Sequence, residues 1–441
     1  MTQKEALDVL KLGHNVFLTG AAGSGKTFLL NQYIAFLREQ KIPVGITAST
    51  GIAATHMGGT TIHSWTGMGI RDEMSTQEIA ELFKRQYLRS RFAQTKVLII
   101  DEISMLHAHR LDLVDAICKV FKKNTYPFGG MQIIMCGDFF QLPPVSKKDE
   151  PSDFVTTSRI WQEMQVRVCY LDEQYRQDDR AFLRVLNDIR NGEVTEDTVA
   201  YLSERLGKDV PGYSKPTRLF THNTDVDAIN KQHLEALQGE EHRYQMEWGG
   251  SFGLVESLKK SCLAPEKLIL KKGAQVMFVK NNYEVGYVNG TLGEVIDFDN
   301  DDFPLVRTFD GAEIMVTPTK WEVKDELNSG ESLARLSQLP LRLAWAITVH
   351  KSQGMSLDAA EVDLSRSFLP GMGYVALSRV RSLAGLKLMG MNQMALQVHP
   401  DVSHMDQKFL QESDEVVRYL FDMDKNKKKK MQADFLVYLK R

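Results

Sequence analysis

The residues best able to do chemistry form a glycine-rich loop, Gly20 to Thr27, which reads GAAGSGKT. It fits the pattern G-x-x-x-x-G-K-[ST], in which backbone N–H groups and a helix N-terminus face bound phosphates. Lys26 should neutralise the outer phosphates, and Thr27 should offer its hydroxyl to Mg²⁺. The alternative is a glycine-rich turn that binds nothing. We therefore predict a nucleoside triphosphate site whose contacts are Gly20, Ala21, Ala22, Gly23, Ser24, Gly25, Lys26, Thr27 and Phe28.

A pair of carboxylates follows the apolar run in LIIDEISM, Leu98 to Met105. A strand that ends in two carboxylates delivers both to the edge of the sheet where phosphate-loop enzymes hold Mg²⁺. Asp101 should hold the metal, and Glu102 should orient and deprotonate the attacking water. The pattern favours a hydrolase over a kinase, with a solvated acidic turn as the alternative.

A third polar segment, CGDFFQLPPV, directly follows an apolar strand pattern. Its Gln141 is a long neutral donor suited to sensing the terminal phosphate. In the second half of the chain, Arg176 and Arg379 could act across a domain cleft as arginine fingers, which raise rates by about 10³–10⁵. Both arginines could equally form surface ion pairs.

The elements that must position these residues alternate between strand and helix, which predicts αβ domains with mainly parallel sheets. We expect a first domain over 1–165, with a small polar insertion at about 67–91. A second αβ domain should span 166–400 and carry an inserted module of short strands at about 245–335. The remainder, 401–441, reads as a helical, lysine-rich tail. Its lysine run is either a solvated face or a nucleic-acid arm.

Composition limits the class of protein. The 441 residues carry a net charge of −3, which argues against coating nucleic acid by bulk charge but allows a local basic groove. Four well-separated cysteines predict reduced thiols and no zinc site. Without a signal-peptide core, and without an apolar run near the ~18 residues of a membrane span, we expect a soluble cytoplasmic protein.

Several segments offer groups suited to a single strand of nucleic acid, with hydroxyls and amides for phosphates and rings for bases. ASTGIAA and TTIHSWTG contain Thr50, Gly51, His63 and Trp65, and VHKSQG contains His350, Lys351 and Ser352. Trp65 is as well explained as a core aromatic, and His350 as a structural histidine.

Taken together, these segments resemble a superfamily-one DNA helicase of the 5′-to-3′ group, and most closely the Pif family. GAAGSGKT, TTIHSW, LIIDEISML, FGGMQIIMCGDFFQLPPV, LDEQYRQ, WAITVHKSQGMSLD and YVALSRVRSLAGL match successive helicase motifs from Gln3 to about residue 395. The nearest family with which it could be confused is the RecD-like helicases. The segment Arg110 to Asn124 matches the Pif signature helix only loosely.

The resemblance implies two RecA-like motor domains, an insertion in the first that helps part the duplex, and an SH3-like β-module in the second. It implies ATP and Mg²⁺ as cofactors and single-stranded, forked or partial-duplex DNA as partner, with the free protein a monomer. It also implies that Gln3 reads adenine and Tyr175 packs on the base, and that Gln353 and Gly354 couple nucleotide to DNA. The track would be lined by Thr50, His63, His350 and Ser352.

Three other functions stay open on the residues alone. A small-molecule phosphotransferase would share the phosphate loop but would not respond to DNA. A nucleotide-gated switch would bind single strands without separating a duplex. A partner-dependent translocase would hydrolyse ATP on DNA without unwinding it alone.

Overall fold

The computed structural model describes residues 1–69, 71–144, 153–173, 179–211, 216–220, 226–282, 284–324, 332–349, 351–352 and 355–440. The chain divides into two compact units. The first comprises Met1–Tyr175, Val323–Leu333 and His404–Arg441, and the second comprises Arg176–Glu322 and Ala334–Ser403. The first unit is therefore built from both ends of the chain.

The first unit contains a six-stranded sheet in the order β3-β2-β4-β5-β1-β6, with every described pair parallel. All five residues are buried in each of four of its strands, β1, β2, β4 and β5, as expected for a parallel sheet covered on both faces. The strands are β1 (Val16–Gly20), β2 (Val44–Ala48), β3 (Thr60–Thr61), β4 (Val97–Asp101), β5 (Gln132–Cys136) and β6 (Arg167–Leu171).

Helices cover this sheet. The helix after the phosphate loop buries Leu29, Tyr33, Ile34 and Leu37 at the spacing of one helical face. The helices before residue 175 are α1 (Gln3–Lys11), α2 (Lys26–Glu39), α3 (Gly51–His56), α4 (Ile62–Thr66), α5 (Thr76–Phe83), α6 (Gln86–Gln94), α7 (Ala108–Lys122) and α8 (Arg159–Glu163). The sequence predicted the αβ order of this unit.

The predicted boundary at residue 165 is wrong. The run that starts at Val166 was expected to open the second domain, but β6 pairs along its whole length with β1, from Arg167 beside Val16 to Leu171 beside Gly20. An apolar run indicates a buried strand but does not indicate which sheet the strand joins. The first unit therefore extends past this strand.

The insertion forms α5 and α6 and packs on α7 through aromatic rings. Trp65 of α4 meets Phe92 of α6 edge to face, with centroids 4.6 Å apart, and Phe92 stacks on Phe121 of α7 at 4.3 Å. The insertion is thus anchored to the first unit by a small core of its own.

The second unit contains two main sheets. A four-stranded parallel sheet has the order β18-β7-β19-β20, and a five-stranded antiparallel sheet has the order β14-β13-β12-β11-β17. Its helices are α9 (Arg180–Asn191), α10 (Glu196–Ser203), α11 (Val226–Ala236), α12 (Phe252–Ser261) and α13 (Met372–Leu377). The strands after residue 175 are β7 (Thr217–Phe220), β8 (His242–Gln245), β9 (Glu247–Gly250), β10 (Lys267–Leu270), β11 (Gln275–Phe278), β12 (Leu292–Phe298), β13 (Pro304–Thr308), β14 (Glu313–Met315), β15 (Thr319–Lys324), β16 (Ser332–Gln338), β17 (Leu341–Leu343), β18 (Ala346–Thr348), β19 (Ala360–Leu364) and β20 (Leu386–Met391). Strands β15 and β16 each extend by two residues into the segment Val323–Leu333 of the first unit.

The apolar run from Leu341 to Val349 forms two strands that belong to two sheets. β17 pairs with β11 in the antiparallel sheet, from Leu341 beside Phe278 to Leu343 beside Val276. β18 begins three residues later and pairs in parallel with β7. The β-rich module therefore reaches Leu343, beyond the predicted end at 335, because its last strand shares one apolar run with the next sheet.

The final helices, α14 (Pro400–Phe421) and α15 (Lys425–Lys440), return to the first unit. Val416 and Leu439 are buried in the same core as residues of α1 and α2. Lys428 forms an ion pair with Asp8 of α1. The predicted tail is thus a packed helical pair. Among the described residues, no helix has the length and apolar character needed to cross a bilayer.

Candidate nucleotide and nucleic-acid site

The phosphate loop joins β1 to α2 and depends on three glycines with positive φ angles. Gly20, Gly23 and Gly25 have φ values of 140°, 89° and 83°. A Cβ on Gly20 would lie 2.5 Å from the carbonyl oxygen of Leu171, so a larger residue would collide with β6. The loop conformation therefore requires glycine here both for its backbone angles and for space.

Lys26 and Ser24 lie inside this loop. The Lys26 ammonium donates to the carbonyl oxygens of Gly20, at 2.8 Å, and Ala21, at 3.0 Å. The Ser24 hydroxyl is buried, and it has no hydrogen-bond partner within the described part of the chain. Thr27 and Phe28 are exposed at the start of α2. The loop thus concentrates a cation and polar groups, which fits a phosphate ligand.

Gln3 lies beside the loop, at the start of α1. Its side-chain amide is 3.5 Å from the Ser24 carbonyl oxygen, and its backbone N–H donates to the Glu173 carboxylate at 3.3 Å. A capping box between Thr2 and Glu5 fixes the first turn of this helix. These contacts hold an amide donor and acceptor next to the predicted nucleotide site.

Asp101 ends β4 with a buried carboxylate, 9% exposed, that accepts the Glu102 N–H at 2.9 Å. Burial raises the pKa of Asp101 above its ordinary value, while a hydrogen bond with Cys136, the Glu102 N–H and the charge of Lys26 act against that rise. Mg²⁺ prefers oxygen ligands, and a divalent charge beside this carboxylate would favour its ionised form. The carboxylate of Asp101 and the hydroxyl of Thr27 therefore fit a magnesium ion.

Glu102 has a left-handed backbone, with a φ of 50°, which is uncommon for a residue with a side chain. Ser49 holds it in place, since its hydroxyl donates to the Glu102 carbonyl at 2.6 Å and its N–H donates to the Asp101 carbonyl at 3.0 Å. Such strained residues concentrate at functional sites. Sequence reasoning missed this bracing role of Ser49, which belongs to a segment considered only for DNA.

Gln141 lies in the turn after β5 and is 7% exposed. Its side-chain amide is 3.4 Å from the Asp138 carboxylate, and its backbone N–H donates to the Asp138 carbonyl at 3.0 Å. Just before this turn, a Cβ on Gly137 would lie 3.1 Å from the Ile103 nitrogen. The turn is therefore packed directly against the segment that follows Glu102.

The sheet order brings these loops together. β4, β5 and β1 are neighbours and run parallel, so the segments after them leave the same edge of the sheet side by side. The charge of Lys26 acts on both Asp101 and Cys136, which confirms that the loop and the end of β4 are close. This edge therefore brings together the candidate phosphate loop, a candidate metal-binding carboxylate and a candidate base.

The comparison with known proteins agrees with this geometry. The family model described as "PIF1-like helicase" matches residues 2–200, and the model "DNA helicase Pif1, 2B domain" matches residues 253–298. The chain is 43% identical to a Psychrobacter protein named "ATP-dependent DNA helicase Pif1", over 99% of this chain and 75% of that protein. The chain belongs to the PIF1-like helicase family.

Solved PIF1 structures share the fold. A Bacteroides Pif1 in complex with ADP-AlF4 is 31% identical, with a TM-score of 0.81 over 93% of this chain and 96% of that chain. A Bacteroides Pif1 bound to ssDNA gives a TM-score of 0.63 at 31% identity over 93% of this chain and 96% of that chain. A structure described as two coordinating Pif1 helicases at forked dsDNA gives the same TM-score and identity over 94% of this chain and 97% of that chain. The two parallel αβ sheets of this chain thus occur in PIF1 enzymes.

In this PIF1-like chain, the residues predicted to contact DNA differ in their accessibility. Thr50 caps α3, where its hydroxyl accepts the Ala53 N–H at 3.3 Å, and Gly51 is the first residue of that helix. Both are partly exposed. Trp65, in contrast, is 5% exposed and packs on Phe92. Its ring is a core aromatic and is not available to stack on a base.

His63 is a partly buried member of the same segment. Burial is the main cause that lowers the pKa of His63 to about 4, and the nearby charge of Arg110 also lowers it. The carboxylate of Asp72 acts in the opposite direction. The Nε2 of His63 is buried without a hydrogen-bond partner among the residues described. At neutral pH the ring is therefore uncharged, so it can offer a hydrogen bond to DNA but not a positive charge.

The second-unit candidates are only partly accessible. Arg379 is 1% exposed, and its guanidinium donates to the Val375 carbonyl at 3.0 Å and contacts the Ser378 hydroxyl at 3.3 Å. Ser352 is fully buried and donates to the Val349 carbonyl at 2.8 Å, while Lys351 is partly exposed. The following predicted site residues lie outside the described residues: Tyr175, Arg176, His350, Gln353 and Gly354.

Proposed function

We propose that this protein is an ATP-dependent DNA helicase that moves 5′-to-3′ along single-stranded DNA and separates duplex ahead of it. One observation carries the proposal: three neighbouring strand ends bring Lys26, Asp101 and Gln141 to one edge of the first sheet, in a chain that belongs to a helicase family. The 5′-to-3′ direction is proposed from the resemblance of the sequence motifs to that group of helicases.

For hydrolysis, each residue has a separate role. Lys26 would exchange its contacts with its own loop for the outer phosphates, and Gln141 would contact the terminal phosphate. Glu102 would orient the attacking water and take its proton. Thr27 and Asp101 would hold Mg²⁺, which neutralises charge on the phosphates. Gln3 would contact adenine, with Tyr175 against the base, and Arg176 and Arg379 would stabilise charge on the transferred phosphoryl group.

The DNA contact proposed for the first unit consists of Thr50 and Gly51, which follow the carboxyl end of β2, and His63, which follows β3. Lys351 would add a cation from the second unit, with His350 and Ser352 beside it in the chain and Gly354 linking that segment to the nucleotide. Single-stranded and forked DNA are the proposed partners, supported by the Pif1 structures described with ssDNA and at forked dsDNA. We place the protein in the bacterial cytoplasm as a monomer when free.

The deciding experiment is ATP-driven unwinding of two partial duplexes that differ only in having a 5′ or a 3′ single-stranded tail. We expect only the 5′-tailed substrate to open. Opening from the 3′ tail alone would keep the motor but overturn the direction. If DNA stimulated hydrolysis but neither duplex opened, a gated switch or a translocase that needs a partner would replace the helicase.

A further inference from the structure

A cavity of about 630 Å³ opens on the first unit at the amino-terminal ends of its strands. Its lining includes Lys96 and Met131, which directly precede β4 and β5. The nucleotide loop lies at the opposite edge of this sheet, one five-residue strand or roughly 16 Å away. The cavity is therefore separate from the proposed ATP site and from Thr50, both of which lie at the carboxyl ends of the strands.

The charges around this cavity have one sign. Its lining contains four cations, Arg89, Lys96, Lys122 and Lys123, and no aspartate or glutamate. Arg89 and Lys122 donate to backbone carbonyl oxygens, at 3.3 Å for Arg89 and at 2.7 and 3.3 Å for Lys122. Burial and the neighbouring charge of Lys96 lower the pKa of Lys122 to about 8. An anion in the cavity would relieve this repulsion.

Aromatic rings stand among these cations. Lys123 and Arg89 each lie 5.8 Å from the centre of the partly exposed Phe83 ring. The buried ring of Phe121 supports Phe83, with centroids 5.2 Å apart. Tyr438 of α15 also lines the cavity and is 57% exposed. Cations for phosphates, interleaved with rings on which bases can stack, are the combination that binds single strands.

The basic surface continues into a second cavity of about 470 Å³, which shares Lys96 and Leu439 with the first. Lys41 and Lys440 line this part, again without a carboxylate. The two cavities together present six cations on a chain whose net charge is −3. The surface is formed jointly by the insertion, α7 and α15.

We propose that these two cavities bind the backbone of a second single strand, namely the strand displaced when the duplex is opened. The inference rests on the proposed helicase function, because a motor that holds one strand at the carboxyl edge of the sheet releases the other outside that site. The cavities lie at the opposite edge and carry the chemistry of a single-strand site.

The test compares a fork, which has the 5′ loading tail and a 3′ tail on the displaced strand, with a duplex that has only the 5′ tail. We expect the native protein to bind the fork several-fold more tightly. The affinity for the fork should also fall more steeply with salt, with a log–log slope larger by about 2 if three phosphates are neutralised at about 0.7 each.

Arg89→Glu/Lys96→Glu should abolish the preference for the fork and leave hydrolysis stimulated by a short single strand unchanged. The milder Arg89→Gln/Lys96→Gln should lose part of the preference and guards against a folding defect in the first variant. The matched control is Lys231→Glu/Lys408→Glu, which reverses two exposed lysines that each pair with a neighbouring glutamate and line neither cavity. This control should keep the preference.

A native protein that unwinds DNA but binds both substrates equally would overturn the inference, as would cavity variants that keep the preference. Pyrophosphate offers a further check: thermal stabilisation by pyrophosphate that the variants lose, without any preference for the fork, would assign the cavity to small anions instead. If the native protein opened no duplex, the proposed function itself would fail, and the two failures are thus distinguishable.

Discussion

The Lys26 ammonium lies 2.8 Å from the carbonyl oxygen of Gly20, the first residue of its own phosphate loop. The loop is therefore closed on itself by the same cation that is proposed to bind the phosphates. Phosphate oxygens are stronger partners than carbonyl oxygens for an ammonium, because both members of the pair are charged. Nucleotide binding should thus replace these internal hydrogen bonds.

Lys26→Ala should reduce ATP turnover by about 10²–10³-fold or more, as expected when a group that stabilises developing charge is removed. Affinity for single-stranded DNA should stay within about twofold of the native value, since Lys26 lies outside the proposed track. Steady-state hydrolysis and fluorescence anisotropy would measure the two effects, with Lys84→Ala as the control. Undiminished turnover would contradict the assignment of this site.

Glu102→Gln should bind ATP with native affinity but leave it unhydrolysed, because the amide cannot accept the proton of the attacking water. The substitution keeps the size of the side chain, so the left-handed backbone at this position should be retained. Single-turnover hydrolysis and nucleotide binding would be measured side by side, with Glu81→Gln, an exposed residue of the insertion, as the control. Loss of nucleotide binding would speak against a role as base.

Trp65→Ala should lower the free energy of unfolding of the first unit by about 3–5 kcal/mol, the usual cost of truncating a buried aromatic. Trp65→Phe should recover much of that loss, since a ring can still meet Phe92. Denaturant unfolding followed by tryptophan fluorescence would measure both variants. A Trp65→Ala variant with native stability but weakened DNA binding would show that Trp65 contacts DNA and is not a core residue.

The buried imidazole of His63 makes stability depend on pH. Its pKa of about 4 lies below the ordinary 6.5, so between these values the unfolded chain binds a proton that the native state does not. The free energy of unfolding should therefore fall as the pH drops from 6.5 towards 4, by about 2 kcal/mol at pH 5.

His63→Gln should remove this part of the pH dependence, whereas His404→Gln, at an exposed position on α14, should retain it. Urea unfolding of the three proteins at pH 7 and pH 5 would measure the difference. An identical loss of stability in native protein and His63→Gln would show that other groups are responsible.

The packing of α15 can be tested at Gly13. Gly13 has a φ of 86°, and a Cβ there would lie 2.5 Å from the ring of Phe435. Gly58 has a similar φ of 68°, but a Cβ at that position would have no atom within 4 Å, so Gly58→Ala carries only the backbone cost. Gly13→Ala should cost about 1–3 kcal/mol more than Gly58→Ala in denaturant unfolding. Equal costs would mean that α15 does not pack there.

The sequence predicted the parts of the site that depend on local chemistry. Lys26 and Asp101 were predicted because each lies in a short motif at the end of an apolar strand, where the residue types indicate phosphate binding and metal binding. The family resemblance predicted the two parallel αβ sheets, and the comparison with known proteins confirms that fold. The individual roles at the nucleotide and on DNA remain predictions.

What the sequence could not predict depends on partners distant in the chain. The strand at Arg167 to Leu171 joins the first sheet, and the apolar run at Leu341 to Val349 divides between two sheets. Which sheet a strand joins is set by backbone hydrogen bonds to segments that are distant in the sequence. From the sequence, Trp65 could be either a core aromatic or a DNA contact, and its packing on Phe92 in the structure identifies it as a core aromatic. The lysine-rich run likewise did not indicate that Leu439, which follows it, is buried in the core of the first unit.

The return of α14 and α15 to the first unit has a consequence for synthesis on the ribosome. The core that contains Leu10 and Leu37 is completed by Val416 and Leu439, which are translated 245 and 268 residues after Leu171, the end of the last strand of that sheet. At elongation rates of about 5–20 residues per second, the nascent first unit waits for tens of seconds with this apolar surface uncovered. The intervening second unit has time to fold first, and premature termination would leave a protein with a permanent aggregation hazard.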